Sequence, residues 1–152
     1  MQPSYKHYLK IIKNTCTGHE RPVTIPSEEL ADLARLAEEH CTVPFVLSSF
    51  RGTPFYPSML QRTRSMMLNY YQIDQFTRHT VSLLEDNGID CILLKGISLA
   101  SCYPVPEYRK LGDLDLYISR KSDVSKAQKL LEANGYIAEN ELSDHHLTYH
   151  YT

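Results

Sequence analysis

The hydrophobic period of the chain changes at Gly88. Before it, apolar residues recur at helical spacing; after it, short apolar runs alternate with helical stretches. The implied order is helices first, then strand, helix, strand, helix, strand. That order predicts an α+β fold in which a helical N-terminal part packs on a small mixed sheet. At 152 residues the chain can bury one respectable core, whereas two would be cramped. A single domain over 1–152 is therefore expected, with a helical portion over 1–64 and a helix plus strand-helix-strand-helix-strand core over 65–152.

Upstream of Gly88 three helices are predicted. "SYKHYLKIIKN" is short and amphipathic. "PSEELADLARLAEEHC" offers Ser27 as N-cap, acidic residues in the first turn, and Leu30, Leu33, Ala34 and Ala37 on one face. "VPFVLSSFRGTPFYP" is broken by prolines and a glycine. A long helix follows, with Ser58 as its expected cap and Gly88 past its end. Its apolar stripe comprises Met59, Met66, Met67, Tyr70, Ile73, Phe76, Val81 and Leu84, and core packing accounts for it.

Downstream, "IDCILLK" is a nearly continuous apolar run that suits a buried strand. Gly96 then precedes a helix start at "ISLASCY", and "PVPEYRKLG" is a loop. "DLDLYI" alternates strictly and is predicted to be a strand. "SDVSKAQKLLEANGY" is a helix with Ser122 as cap candidate, an inner face of Val124, Ala127, Leu130 and Leu131, and Gly135 as its stop. "HLTYHY" reads as a final strand.

Asp113 and Asp115 interrupt the alternating strand. Residues two apart on a strand share a face, so the carboxylates are expected to project together and repel. A divalent cation relieves that repulsion, and hard oxygen ligands suit Mg²⁺. The plain alternative is a half-exposed strand whose polar face carries aspartate. Upstream, Lys95, Gly96 and Ser98 stand at a strand-to-helix junction, where glycine lets a phosphate approach the backbone and Lys95 adds a charge. Arg109 brings a fork of donors suited to phosphate. The alternatives are an ordinary turn at Gly96, and a solvated surface or a salt bridge to Asp113 for the two cations.

Taken together, "CILLKGISLASCYPVPEYRKLGDLDLYI" resembles the uncharacterised nucleotidyltransferase family, a branch of the polymerase-beta-like nucleotidyltransferase superfamily. "LLEANGYIAEN" and "DHHL" are similar to the same branch, and the resemblance covers about residues 87–151. It implies a mixed sheet of the nucleotidyltransferase type. Asp113 and Asp115 become catalytic metal ligands for two Mg²⁺ ions, and Lys95, Gly96, Ser98 and Arg109 become nucleotide-phosphate contacts. The implied reaction moves a nucleoside monophosphate from an NTP to a hydroxyl acceptor, which is a small molecule, a protein side chain or an RNA end. Ile97, not serine, directly follows Gly96. The superfamily's third carboxylate belongs on a later strand, and Glu139, Glu141 and Asp144 precede the last one here. The chain is therefore expected to be an N-terminal piece ending before that residue. Two rival functions share the pattern: a non-catalytic nucleotide-binding or protein-interaction relative, and a metal-dependent phosphohydrolase.

The remaining features narrow the setting. A net charge of -2 provides no overall basic field, and no basic-aromatic surface favours a nucleic-acid polymerase. "MQPSYKHYLK" is not a signal peptide, and no apolar run approaches the roughly 20 residues that cross a membrane. Cys16, Cys41, Cys91 and Cys102 form no C-x-x-C pair, so reduced thiols in a cytoplasmic protein with no disulfide-linked partner are expected. His146 and His150 would suit zinc on a helix. The neighbouring tyrosines and threonine favour a strand, where the two lie too far apart for one ion. His145 receives no role.

Overall fold

The computed structural model describes residues 3–18, 23–139 and 148–151. It is mainly helical with short antiparallel strands, an α+β fold. Two compact units are present: Met1–Gln75 with Lys95–Leu114, and Phe76–Leu94 with Asp115–Thr152.

The first unit holds α1 (Pro3–Cys16), a 3-10 turn (Ser27–Glu29), α2 (Leu30–Glu39), α3 (Val43–Val46), a second 3-10 turn (Leu47–Phe50), the start of α4 (Tyr56–Asp86) and α5 (Gly96–Ala100). Tyr8 and Ile11 of α1 pack with Leu33, Ala34 and Ala37 of α2, and with Val43, Val46, Phe50 and Met59. The anticipated face of α2 is thus the buried one. Leu33, Val46 and Phe50 have no exposed surface, and each such burial contributes about 1.5–3 kcal/mol.

Residues 43–57 are broken up as their prolines and glycine imply, but over 43–50 the pieces are still helical turns. Pro44 lies in the first turn of α3, where its missing N–H is not needed. Val43, Phe45, Val46 and Phe50 are all buried, so apolar burial folds this stretch into two tight turns. The expected serine caps are also corrected. Ser27 opens its 3-10 turn and no side chain caps it or α2. Helix α4 starts at Tyr56, so Ser58 falls in its first turn, donating to the Phe55 carbonyl at 2.9 Å.

The second unit contains the rest of α4, β1 (Cys91–Leu94), β2 (Asp115–Ile118), α6 (Lys121–Ala133), β3 (Tyr136–Ala138) and β4 (Tyr149–Tyr151). Helix α6 starts after Arg120, so Ser122 is inside it and does not cap it; Ala127 is buried on its expected inner face. The strands form two antiparallel pairs, β1 with β2 and β3 with β4, where a mixed sheet was anticipated. The final strand was expected and is β4; its partner β3 was not, because three residues after Gly135 show too little alternation to mark a strand. Leu84, Ile89 and Ala127 form a small core with Cys91, Leu116, Ile118 and Leu130 around it.

The register pairs Cys91 with Ile118, Ile92 with Tyr117, Leu93 with Leu116, and Leu94 with Asp115. One face of this ladder meets the core. The other carries Ile92, Leu94, Tyr117 and Asp115, and Ile92 and Tyr117 are each 52% exposed. Strand β1 is therefore half-buried, not enclosed on both faces as its apolar run implied.

Along α4, Met59 and Leu84 are buried as expected, whereas Met66, Met67, Tyr70, Ile73, Phe76 and Val81 are only half-buried. Thr63, Thr77 and Thr80 share the buried line. Thr80 donates to the Phe76 carbonyl at 2.9 Å and meets the Tyr136 hydroxyl at 2.7 Å, which explains how a polar residue fits there. Burial pushes the Tyr136 phenol above its ordinary range. No described helix is long and apolar enough to cross a membrane.

The ends of α2 and α4 close with the same motif. Past α4, Ile89 donates to Leu84 and Gly88 to Glu85; past α2, Thr42 donates to Ala37 and Cys41 to Glu38. This is a Schellman closure with a left-handed residue in it. Gly88 fills that place at φ 70°, and Cys41 fills it at φ 54°. A side chain in this conformation is strained. Cys41→Gly is expected to raise the unfolding free energy and Gly88→Ala to lower it, each by about 1 kcal/mol, read from chemical denaturation. Tyr136 adds a pH signature. Its raised folded value leaves stability intact below pH ~10 and removes it as pH rises further, and Tyr136→Phe flattens that alkaline decline.

Candidate functional site

Strand β1 ends because the backbone turns left-handed. Lys95 has φ 43° and Gly96 φ 38°, so Lys95 cannot extend the ladder and α5 begins at Gly96. The opposing strand loses its partner at the same point. Strand β2 consequently begins at Asp115, and Asp113 lies before it. The expectation that both aspartates share one strand face is corrected accordingly: only Asp115 has a face fixed by the ladder, beside Leu94.

Within the first unit the turn is tightly held. A Cβ built on Gly96 would stand 3.3 Å from the Asp113 carbonyl oxygen, so the absent side chain lets the segment carrying Asp113 lie against the turn. Arg109 fixes the turn from another side. Its Nε donates to the Gly96 carbonyl at 3.0 Å and its Nη1 to the Tyr103 hydroxyl at 3.1 Å. Its guanidinium carbon also lies 5.5 Å from the Tyr103 ring centre. Neither a solvated Arg109 nor an Arg109–Asp113 bridge is found among the described residues. Asn69 Nδ2 of α4 donates to the carbonyl of buried Leu111 at 2.7 Å, anchoring the approach to Asp113.

The expected phosphate and metal residues are thus placed as follows. Gly96, Arg109 and the Asp113 backbone come together at one turn. Lys95 is exposed beside them. Ser98 donates its hydroxyl to the Lys95 carbonyl, closing the first turn of α5. Asp113 is exposed, with no ion pair among the described residues, and Asp115 is half-buried. Covalent spacing alone keeps the two aspartate Cα atoms within about 7 Å. Among the described residues, no three His, Cys, Asp or Glu side chains gather as an ion site. His145, His146, Glu141 and Asp144 lie outside the described residues; Glu139 is exposed just after β3, and the His150 backbone belongs to β4.

Several residues the sequence did not single out complete this unit. Phe45 of α3 packs on Tyr103 at 5.9 Å and edge-on to Tyr108 at 5.4 Å, between ring centres. Thr15 of α1 donates to the Phe45 carbonyl at 2.9 Å. A cleft of about 490 Å³ opens here, lined by residues of α1, the end of α2, Phe45 and the stretch 102–110. The signal that could have found it is the recurrence of aromatic residues and prolines over 103–108, which marks a packed loop and not a solvated one.

Comparison with known families decides the general chemistry. A profile of the family described as uncharacterised nucleotidyltransferase matches residues 26–152. The chain belongs to that family. Comparison with curated proteins and with solved structures finds no match. Membership in the nucleotidyltransferase family supports nucleotidyl transfer as the general function and an enzyme as the kind of protein. The match begins at Pro26, so it includes α2, α3 and α4 as well as the stretch whose motif is similar.

Gly96 generates a direct test. Gly96→Ala combines a left-handed backbone with a 3.3 Å contact to backbone that cannot swing away. It is expected to lower stability by about 1–2 kcal/mol in denaturant titration.

Proposed function

We propose that the chain transfers a nucleoside monophosphate from an NTP to a hydroxyl acceptor, as a cytoplasmic enzyme whose cysteines stay reduced. The observation that carries this reading is the nucleotidyltransferase family match, which includes a glycine turn lying against the Asp113 backbone. The donor set fits magnesium in kind: Asp113 and Asp115 supply hard carboxylate oxygens, and Asp113 has no ion pair among the described residues. Two Mg²⁺ ions, when bound by Asp113 and Asp115, would supply charge neutralisation to the triphosphate and acidify the attacking hydroxyl.

The chain's own residues have separable tasks. Gly96 receives the Asp113 carbonyl and so keeps the aspartate segment against the turn, and Lys95 adds a compact positive charge beside it for phosphate. Arg109 keeps the turn in shape through the Gly96 carbonyl, and its remaining donors are available to phosphate oxygen. Ser98 serves the turn as a donor to Lys95 and receives a phosphate only if that bond opens. In the transfer, the acceptor oxygen forms a bond to the α-phosphorus. The bond from that phosphorus to its bridging oxygen breaks, pyrophosphate leaves with the electron pair, and the hydroxyl proton passes to water.

The test is incubation of the protein with Mg²⁺, α-labelled NTPs and a panel of small-molecule, protein and RNA acceptors. Labelled acceptor with pyrophosphate release is the expected outcome. Free phosphate would instead indicate the hydrolase, and binding without turnover the non-catalytic relative. Asp113→Asn and Asp115→Asn should each lower transfer by about 100-fold or more while leaving the circular dichroism spectrum unchanged.

A further inference from the structure

The cleft of the first unit has a consistent chemistry. Arg109 and Lys110 bring two positive charges to its lining, and no carboxylate stands among the described residues that line it. Tyr103, Tyr108 and Phe45 give it aromatic walls already packed against one another. Its volume, about 490 Å³, is that of a small-molecule site. Cations without counter-charges, set among rings, favour an anion with a compact organic body.

A second observation concerns Cys41, which also lines the cleft. It occupies the left-handed place of the closure after α2, at φ 54°. The same place after α4 is held by glycine. A strained side chain stands at the cleft where glycine would fold better, and such strain clusters where side chains serve a ligand. The cleft also connects with the turn through Arg109, which lines the one and is bonded to the carbonyl of the other.

We infer that this cleft is the acceptor site, and that the acceptor is a small molecule bearing a phosphate or carboxylate as well as its reactive hydroxyl. The anion is held by Lys110, with the body between Tyr103, Tyr108 and the thiol of Cys41. The assignment rests on the transfer reading for its role, while the binding itself needs neither metal nor turnover.

The cleft carries its own reporters. Cys16 and Cys102 are exposed thiols in its lining, and Cys91 lies in the other unit. Burial, with the charges of Glu85 and Asp90, pushes the Cys91 thiol up, so it alkylates slowly and serves as internal control. The experiment follows iodoacetamide labelling of the full chain by mass spectrometry, without magnesium, alone and with inorganic phosphate, glycerol 2-phosphate, citrate or ATP. Expected is a slowing of Cys16 and Cys102 labelling by about threefold or more with glycerol 2-phosphate or citrate, no change at Cys91, and loss of the effect in Lys110→Glu. Protection by the phosphate compounds or by citrate tells which anion is preferred, and either supports the assignment. Protection by ATP alone, protection retained in Lys110→Glu, or no protection by any of the anions overturns it. Protection that survives in Asp113→Asn without any transfer would separate the failure of the transfer chemistry from the failure of this site.

Discussion

The left-handed backbone at Lys95 and Gly96 is the constraint from which the local arrangement follows. It ends β1, and by removing the partner it sets the start of β2 at Asp115. It starts α5 in the same step, and it brings the Asp113 carbonyl to where only a residue without a side chain can receive it. A non-glycine residue at φ 43° persists only when its surroundings over-determine it. Here they do: Arg109 holds the Gly96 carbonyl, Tyr103 holds Arg109, and Phe45 packs against Tyr103. Charge, ring and backbone act in series, so loss of Arg109 would release both the turn and the ring above it.

Much of this was legible in the sequence because it is written in periodicity. The change at Gly88, the inner faces of α2 and α6, and the closure after α4 all follow from apolar spacing and one well-placed glycine. The misses share a different cause. Ser27, Ser58 and Ser122 look like caps, but tertiary packing started the helices or their leading turn at or before them, so the serines fell inside. The stretch 43–50 contains a proline and reads as broken, yet Phe45, Val46 and Phe50 bury completely enough to fold it. Thr80 sits on the buried line of α4 because Tyr136, far along the chain, supplies a hydroxyl partner that no local pattern reveals.

The turn was legible by residue type and less so by geometry. Gly96, Arg109 and Asp113 were singled out and do converge on one turn. The strand that was to align Asp113 with Asp115 is shorter than its alternation implied, because alternation describes side chains and a strand also needs a partner. Arg109, singled out for phosphate, has two of its donors engaged in holding the turn, which makes it a positioning residue first. The proposed cleft escaped notice because its lining comes from stretches far apart in sequence, drawn together by Phe45.

The proposed grip of Asp113 and Asp115 on a metal–triphosphate is tested most directly by electron paramagnetic resonance of Mn²⁺ added with a non-hydrolysable NTP analogue. If the grip exists, the free Mn²⁺ signal falls on adding wild-type protein beyond what the nucleotide alone removes, and the Asp113→Asn, Asp115→Asn double variant abolishes that extra fall. An equal fall with both proteins, or none with either, would contradict it.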